Sequence, residues 1–358
     1  MCTVFSDWGE NPSVVAKNFD CFVDGGMIFT NKRGVRKASL VMPPKKEFLW
    51  TSQYGSVTFS QSGKGMPACG INEKGLIVEQ ATYPKTVYPA EDERAEISCL
   101  EAVQYLLDTC ERVEEAMAAF DRFRISNQSG RLHFFLMDRR GNRAVVEFRG
   151  GEKNVFSGAD KMPVLVNSGY EQACAGKAED ASEYEENSME RFRIVRTELE
   201  REKRDPEEPE HRKPEFREPL TVEAAFRILE LAKRKDTVFG IVYDREHECV
   251  YFRYQNLGIK QIDLRSIDYL ETADSYLFDM ESDVSEFAWQ PYSREMNRKN
   301  VERFYQNPVV LQMFHMPDAG FVIDAFDEHI QKTECGWQEA EAERQAGQMA
   351  AKQEEDPK

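Results

Sequence analysis

The chain has 358 residues, of which 41 % are hydrophobic and 11 % aromatic. That is enough for one large or two modest domains with a sizeable core, and it excludes global disorder. Sixty-four acidic residues against 47 basic ones leave a net charge of −17, which argues against nucleic acid or an anionic membrane surface as partner.

The second residue is Cys2, in the run Met1-Cys2-Thr3-Val4-Phe5. A small residue at position two permits removal of the initiator methionine. A free N-terminal cysteine then carries a thiol and an α-amine, with ordinary pKa values near ~8.5 and ~7.7–8.0. The amine can serve as base for its own thiol without a histidine. Cys2–Phe5 and Ser13–Asp20 read as strands, and Asp24-Gly25-Gly26 as a turn. If the two strands pair as a hairpin, Asp20 returns beside Cys2. A carboxylate there can orient the amine, and Lys17 would favour the thiolate. Local chemistry alone equally allows Asp20 to cap the turn that follows.

Gly55–Gln61 and Leu76–Ala81 continue the strand pattern. Ser98-x-x-Glu101 is a capping box opening a helix, and a second helix is expected over Val113–Phe123. Leu132–Met137 and Ala144–Phe148 flank Asp138–Asn142 as a hairpin, and Val164–Val166 ends at Asn167-Ser168-Gly169. A charged helix follows over Glu183–Lys203, then a proline-rich charged loop over Asp205–Pro219, then a helix over Thr221–Arg234. Arg191 reads equally as one more charge on a solvated helix face. Val238–Tyr243, Cys249–Tyr254 and Ile259–Leu264 close the β part, an α+β rather than a βαβ pattern. The expected division is a main domain over 1–265, a partly helical extension over 266–334 with helices near Asn297–Tyr305 and Val309–Phe314, and a polar tail over 335–358.

The eight cysteines (Cys2, Cys21, Cys69, Cys99, Cys110, Cys174, Cys249 and Cys335) form no C-x-x-C pair or zinc-ligand spacing. No run approaches the ~18–20 apolar residues of a membrane span, and no secretion signal is visible. A cytoplasmic protein with reduced thiols is expected. Of the five histidines, His211 falls in the charged loop, His247 in a turn, and His315 and His329 in the C-terminal part. His133 starts a strand as a structural side chain, and nothing selects a histidine partner for Cys2.

Several pieces in order resemble the choloylglycine hydrolase group of N-terminal-nucleophile enzymes, which includes penicillin V acylases and bile salt hydrolases. They are Met1-Cys2-Thr3, Lys17-Asn18-Phe19-Asp20, Gly70–Leu76, Thr82-Tyr83-Pro84, Leu132-His133-Phe134 through Glu147, Val166-Asn167-Ser168, Arg191-Phe192, and Thr237 through Asp263. The resemblance implies a four-layer αββα sandwich and hydrolysis of a linear, non-peptide amide without metal or organic cofactor. It implies Cys2 as nucleophile, Asp20 fixing its amine, Asn167 as an oxyanion donor and Arg191 stabilising charge. Lys17 stands where the family usually has arginine. Thr82 stands where bile salt hydrolases carry asparagine and penicillin V acylases tyrosine, so its backbone N–H is the expected donor. Phe22, Met27, Phe59 and Tyr83 are candidates to line an acyl pocket for a small N-acyl amide, and equally candidates for the core. A homo-oligomer is compatible with the resemblance. The rival readings are an acyltransferase on the same scaffold and a catalytically silent binding protein.

Overall fold

A computed structural model describes residues 1–9, 12–41, 44–202, 219–270, 272–314 and 316–334. Most of the charged loop, the polar tail, Cys335, His211 and His315 lie outside the described residues.

The chain opens with β1 (Cys2–Ser6), β2 (Val14–Asp20), β3 (Met27–Asn31), β4 (Arg36–Ala38), β5 (Leu49–Thr51), β6 (Ser56–Ser60), β7 (Cys69–Asn72), β8 (Ile77–Thr82) and β9 (Glu96–Ile97). Helices α1 (Cys99–Thr109) and α2 (Val113–Ala119) follow. Then come β10 (Arg124–Ile125), β11 (Leu132–Met137), β12 (Arg143–Arg149), β13 (Glu152–Ser157) and β14 (Val164–Leu165). Helices α3 (Tyr170–Cys174), α4 (Glu183–Glu202) and α5 (Val222–Leu231) precede β15 (Thr237–Asp244), β16 (Cys249–Tyr254) and β17 (Lys260–Asp263). The described chain closes with β18 (Tyr276–Asp279), β19 (Gln290–Pro291), α6 (Arg294–Tyr305), α7 (Pro308–Met313) and α8 (Gly320–Glu334).

Two antiparallel sheets dominate. One runs β14-β1-β2-β15-β16-β17 and the other β13-β12-β11-β8-β7-β6-β3-β18-β19. Alternation along each strand sends residues to opposite faces. On β1 and β2, Cys2, Val4 and Val15 enter the core between the sheets, whereas Phe5, Val14 and Ala16 face α4 and α5. On β8 and β11, Ile77, Ala81, Phe135 and Met137 enter the same central core, whereas Val78, Phe134 and Leu136 face α1 and α2. The result is an αββα sandwich, the layering implied by the resemblance.

The capping box is formed: Glu101 N–H donates to Ser98 Oγ at 3.2 Å, and Ser98 N–H donates to Glu101 Oε2 at 2.9 Å. Residues beyond 265 do more than add helices. β18 pairs with β3 and extends the nine-stranded sheet. α6, α7 and α8 pack through Val301, Val310, Ile323 and Phe326 on Val23 and Met66. No described helix is long and apolar enough to cross a membrane, and the seven described cysteines are free.

Candidate active site

β1 and β2 pair antiparallel with Cys2 opposite Phe19 and Val4 opposite Lys17, so the end of β2 returns to the start of the chain. The Met1 ammonium donates to the Asp20 carbonyl at 2.7 Å, and Asp20 N–H donates to the Met1 carbonyl at 2.8 Å. The Cys2 N–H donates to Asn167 Oδ1 at 2.9 Å. Asn167 follows β14, the strand that pairs with β1, which brings a residue 165 positions away to the chain start.

Arg191 comes from α4 and is buried, not on a solvated face. Its Nη1 donates to Thr3 Oγ1 at 2.7 Å and to the Cys2 carbonyl, and its Nη2 donates to Asn167 Oδ1 at 2.8 Å. Asp20 accepts from Thr237 Oγ1 at 2.6 Å through Oδ1. Its Oδ2 is buried with no hydrogen-bond partner among the described residues, and Arg234 Nε lies 3.8 Å away.

Asn167 Nδ2 donates to the Thr82 carbonyl at 2.7 Å. Tyr83 N–H donates to the Arg131 carbonyl at 2.9 Å, while Thr82 sits opposite Leu132. Thr82 and Leu132 are therefore a non-hydrogen-bonded pair. The N–H and C=O of Thr82 point away from β11, and the carbonyl accepts from Asn167. An amide NH₂ has two protons, so Asn167 Nδ2 keeps one donor beyond its bond to Thr82.

Burial pushes the Cys2 thiol pKa up and the Asp20 carboxylate adds to it, while Lys17, the N-terminal amine and the Asp20 N–H pull it down. Burial also raises the Asp20 carboxyl, opposed by Arg191 and Thr237. Burial lowers Arg191, with Asp20 acting the other way.

Lys17 is fully buried in the central core and forms an ion pair with Glu79 at 2.6 Å. Phe59 lies in that core too, near Phe239, which stacks on Phe19 at 4.7 Å. The other pocket candidates are dispersed. Phe22 is half-exposed after Asp20. Met27 belongs to β3 and packs with Phe29 and Leu277. Tyr83 stacks on His133 and bonds Glu179 through its hydroxyl. His133 donates from Nε2 to the Val166 carbonyl at 2.6 Å and supports the turn into Asn167.

Sequence reasoning missed Thr237, Arg234 and Tyr184 as neighbours of this cluster. Thr237 sits opposite Asp20 across a β2–β15 irregularity that no local pattern announces. Arg234 Nη1 donates to Asn187 Oδ1 at 2.5 Å, joining the loop before β15 to α4. Tyr184 Oη donates to the Thr82 carbonyl at 3.5 Å. A run of charged residues around Arg234 concealed the one that turns inward.

The family model for acyl-coenzyme A:6-aminopenicillanic acid acyl-transferase matches residues 9–257. No curated protein matches significantly. Among solved structures, a penicillin V acylase from Agrobacterium tumefaciens superposes with a TM-score of 0.65 at 22 % identity, covering 82 % of this chain and 98 % of that one. A conjugated bile acid hydrolase from Clostridium perfringens does so with a TM-score of 0.59 at 16 % identity, covering 82 % and 97 %. These findings bear out the resemblance to the choloylglycine hydrolase and penicillin V acylase group, and with it the fold.

Proposed function

The chain belongs to the acyl-coenzyme A:6-aminopenicillanic acid acyl-transferase family, and from that membership we propose that it is an N-terminal-nucleophile amidohydrolase acting on a linear N-acyl amide through Cys2. Once Met1 is removed, the nitrogen held by Asn167 Oδ1 becomes a free amine. That amine takes the thiol proton. The sulfur attacks the substrate carbonyl, and the developing oxyanion meets the Thr82 N–H and the second proton of Asn167 Nδ2. Such donors contribute roughly 2.7–4 kcal/mol each to the transition state. The C–N bond breaks as the ammonium returns the proton to the leaving nitrogen. Water then adds to the thioester, releasing the carboxylic acid and restoring the thiol.

Asp20 steadies the amine, and Arg191 fixes the carbonyl of the nucleophile's own residue. The observation that carries this reading is the bond from the Cys2 nitrogen to Asn167 Oδ1, with Asp20 Oδ2 buried at the adjoining strand end and without a hydrogen-bond partner among the described residues. The test is amine release from penicillin V, a conjugated bile salt and a series of N-acyl amino acids. Wild-type protein should cleave at least one of these classes, and Cys2→Ser should cleave none. Retained cleavage in Cys2→Ser would remove the nucleophile.

The family's own description favours a second reading in which an amine, not water, resolves the thioester. Added acyl acceptors separate the two. Hydrolysis leaves the acid yield unchanged, whereas acyl transfer diverts the acyl group into a new amide.

A further inference from the structure

Lys17 and Glu79 form a buried ion pair across the two sheets, in the same layer as the Cys2 side chain. Lys17 lies on β2 and Glu79 on β8, both side chains are fully buried, and Nζ to Oε2 is 2.6 Å. The layer around them is otherwise largely apolar, built from Val4, Val15, Phe59, Ile77, Ala81, Phe239 and Ile241. Such a pair rarely adds stability over a well-packed apolar substitute, because two charges must be dehydrated. Its place relative to Cys2 is specific. Cys2 pairs with Phe19, and Lys17 stands two residues before Phe19 on the same face, which makes it the diagonal neighbour of Cys2. The ammonium also lies 5.4 Å from the Phe19 ring centroid and 3.4 Å from the Ala68 carbonyl.

We propose that Glu79 is a positioning residue that holds the Lys17 ammonium beneath Cys2, so that the cross-sheet pair sets the fraction of nucleophilic thiolate. An arginine can fix its charge through a forked, planar head. A lysine offers a point charge on a flexible stem and needs an anchor. Glu79 supplies that anchor from the opposite sheet. Burial works against both charges of the pair, raising the Glu79 carboxyl and opposing the Lys17 ammonium, while Cys69, Glu79 and Cys2 act on Lys17 the other way and leave its pKa above the usual lysine range. The other groups facing this layer are Cys69 on β7 and Tyr243 on β15, both beside the Glu79 carboxylate, and Cys21 just past β2. The N-terminal amine and Asp20 act on the thiol from the strand end, and Arg191 and Tyr184 from α4. This inference rests on Cys2 being the nucleophile.

The test measures thiolate absorbance against pH, as the difference between each protein and its Cys2→Ala counterpart. It needs no substrate. Glu79→Gln removes the anchor and leaves a fully buried ammonium without its counter-ion, so Lys17 gives up its charge or its place and the Cys2 midpoint should rise by about one pH unit or more. Lys17→Met combined with Glu79→Gln should raise it by a similar amount. Glu79→Asp keeps the charge but shortens the reach by one methylene, so its midpoint should move toward that of the double variant. If Glu79→Gln unfolds, the Glu79→Asp result decides alone. Unchanged midpoints in folded Glu79→Gln or Glu79→Asp would overturn the proposal. Amide cleavage retained in Cys2→Ser would instead overturn the assignment of the nucleophile, and the two failures are separate.

Discussion

Arg191 grips the backbone of Cys2 from α4: its Nη1 donates to the Cys2 carbonyl while its Nη2 reaches the same Asn167 oxygen that accepts the Cys2 N–H. One guanidinium thereby fixes both the Cys2 main chain and the Asn167 side chain beside it. The fork matters because the two acceptors lie on different residues. Arg191→Lys should keep the charge and lose one of these bonds, lowering kcat/KM by about 10²-fold. Arg191→Leu should also destabilise the fold, by about 1–3 kcal/mol for each buried acceptor left without a donor. Steady-state kinetics and urea denaturation check the two effects.

Asp20→Asn should separate activity from stability. Burial holds the Asp20 carboxyl above its ordinary pKa, so the ionised form is a cost to the fold at neutral pH. A raised folded-state value means that the associated stability is fully present below the unfolded pKa and is lost as pH rises through the folded one. The wild type should therefore gain stability relative to Asp20→Asn as pH falls from neutral. The same substitution removes the anion proposed to steady the amine and should depress kcat. Melting temperatures at several pH values, beside a pH–rate profile, test both halves.

Thr82 is expected to act through its backbone. Thr82→Ala should leave kcat within a few-fold of wild type. Thr82→Pro deletes the N–H at a strand end, where proline is best tolerated, and should lower kcat about 10²–10³-fold. Equal losses in the two variants would assign the effect to the side chain.

Ser98→Ala serves as a control away from the site. It removes the acceptor that caps α1 and should cost about 0.5–2 kcal/mol without changing kcat. Thermal denaturation and kinetics on the same preparation suffice.

The parts of this site legible in the sequence are those set by local periodicity. β1 and β2 come from stretches of strand length with apolar residues, so the hairpin that returns Asp20 to Cys2 follows from their lengths, and Ser98 with Glu101 marks the start of α1. What depends on the stacking of sheets was not legible. Glu79 looks like a polar interruption of β8 until the opposite sheet brings Lys17 to it. Thr237 meets Asp20 only through the shifted register of β15 against β2. Met27 follows two glycines with φ of +88° and +139°, and its turn-like approach hides a strand that builds the second sheet. Arg191 and Arg234 sit among many charges, and only tertiary packing shows which of them face inward.

The central claim is that the mature chain begins with a cysteine that is both nucleophile and base. Intact-mass measurement, before and after a slowly hydrolysed acylating substrate, tests it most directly. The account predicts a mass lacking Met1 and a single acyl adduct that is absent from Cys2→Ser. A fully active protein that retains Met1, or an adduct that survives in Cys2→Ser, would contradict it.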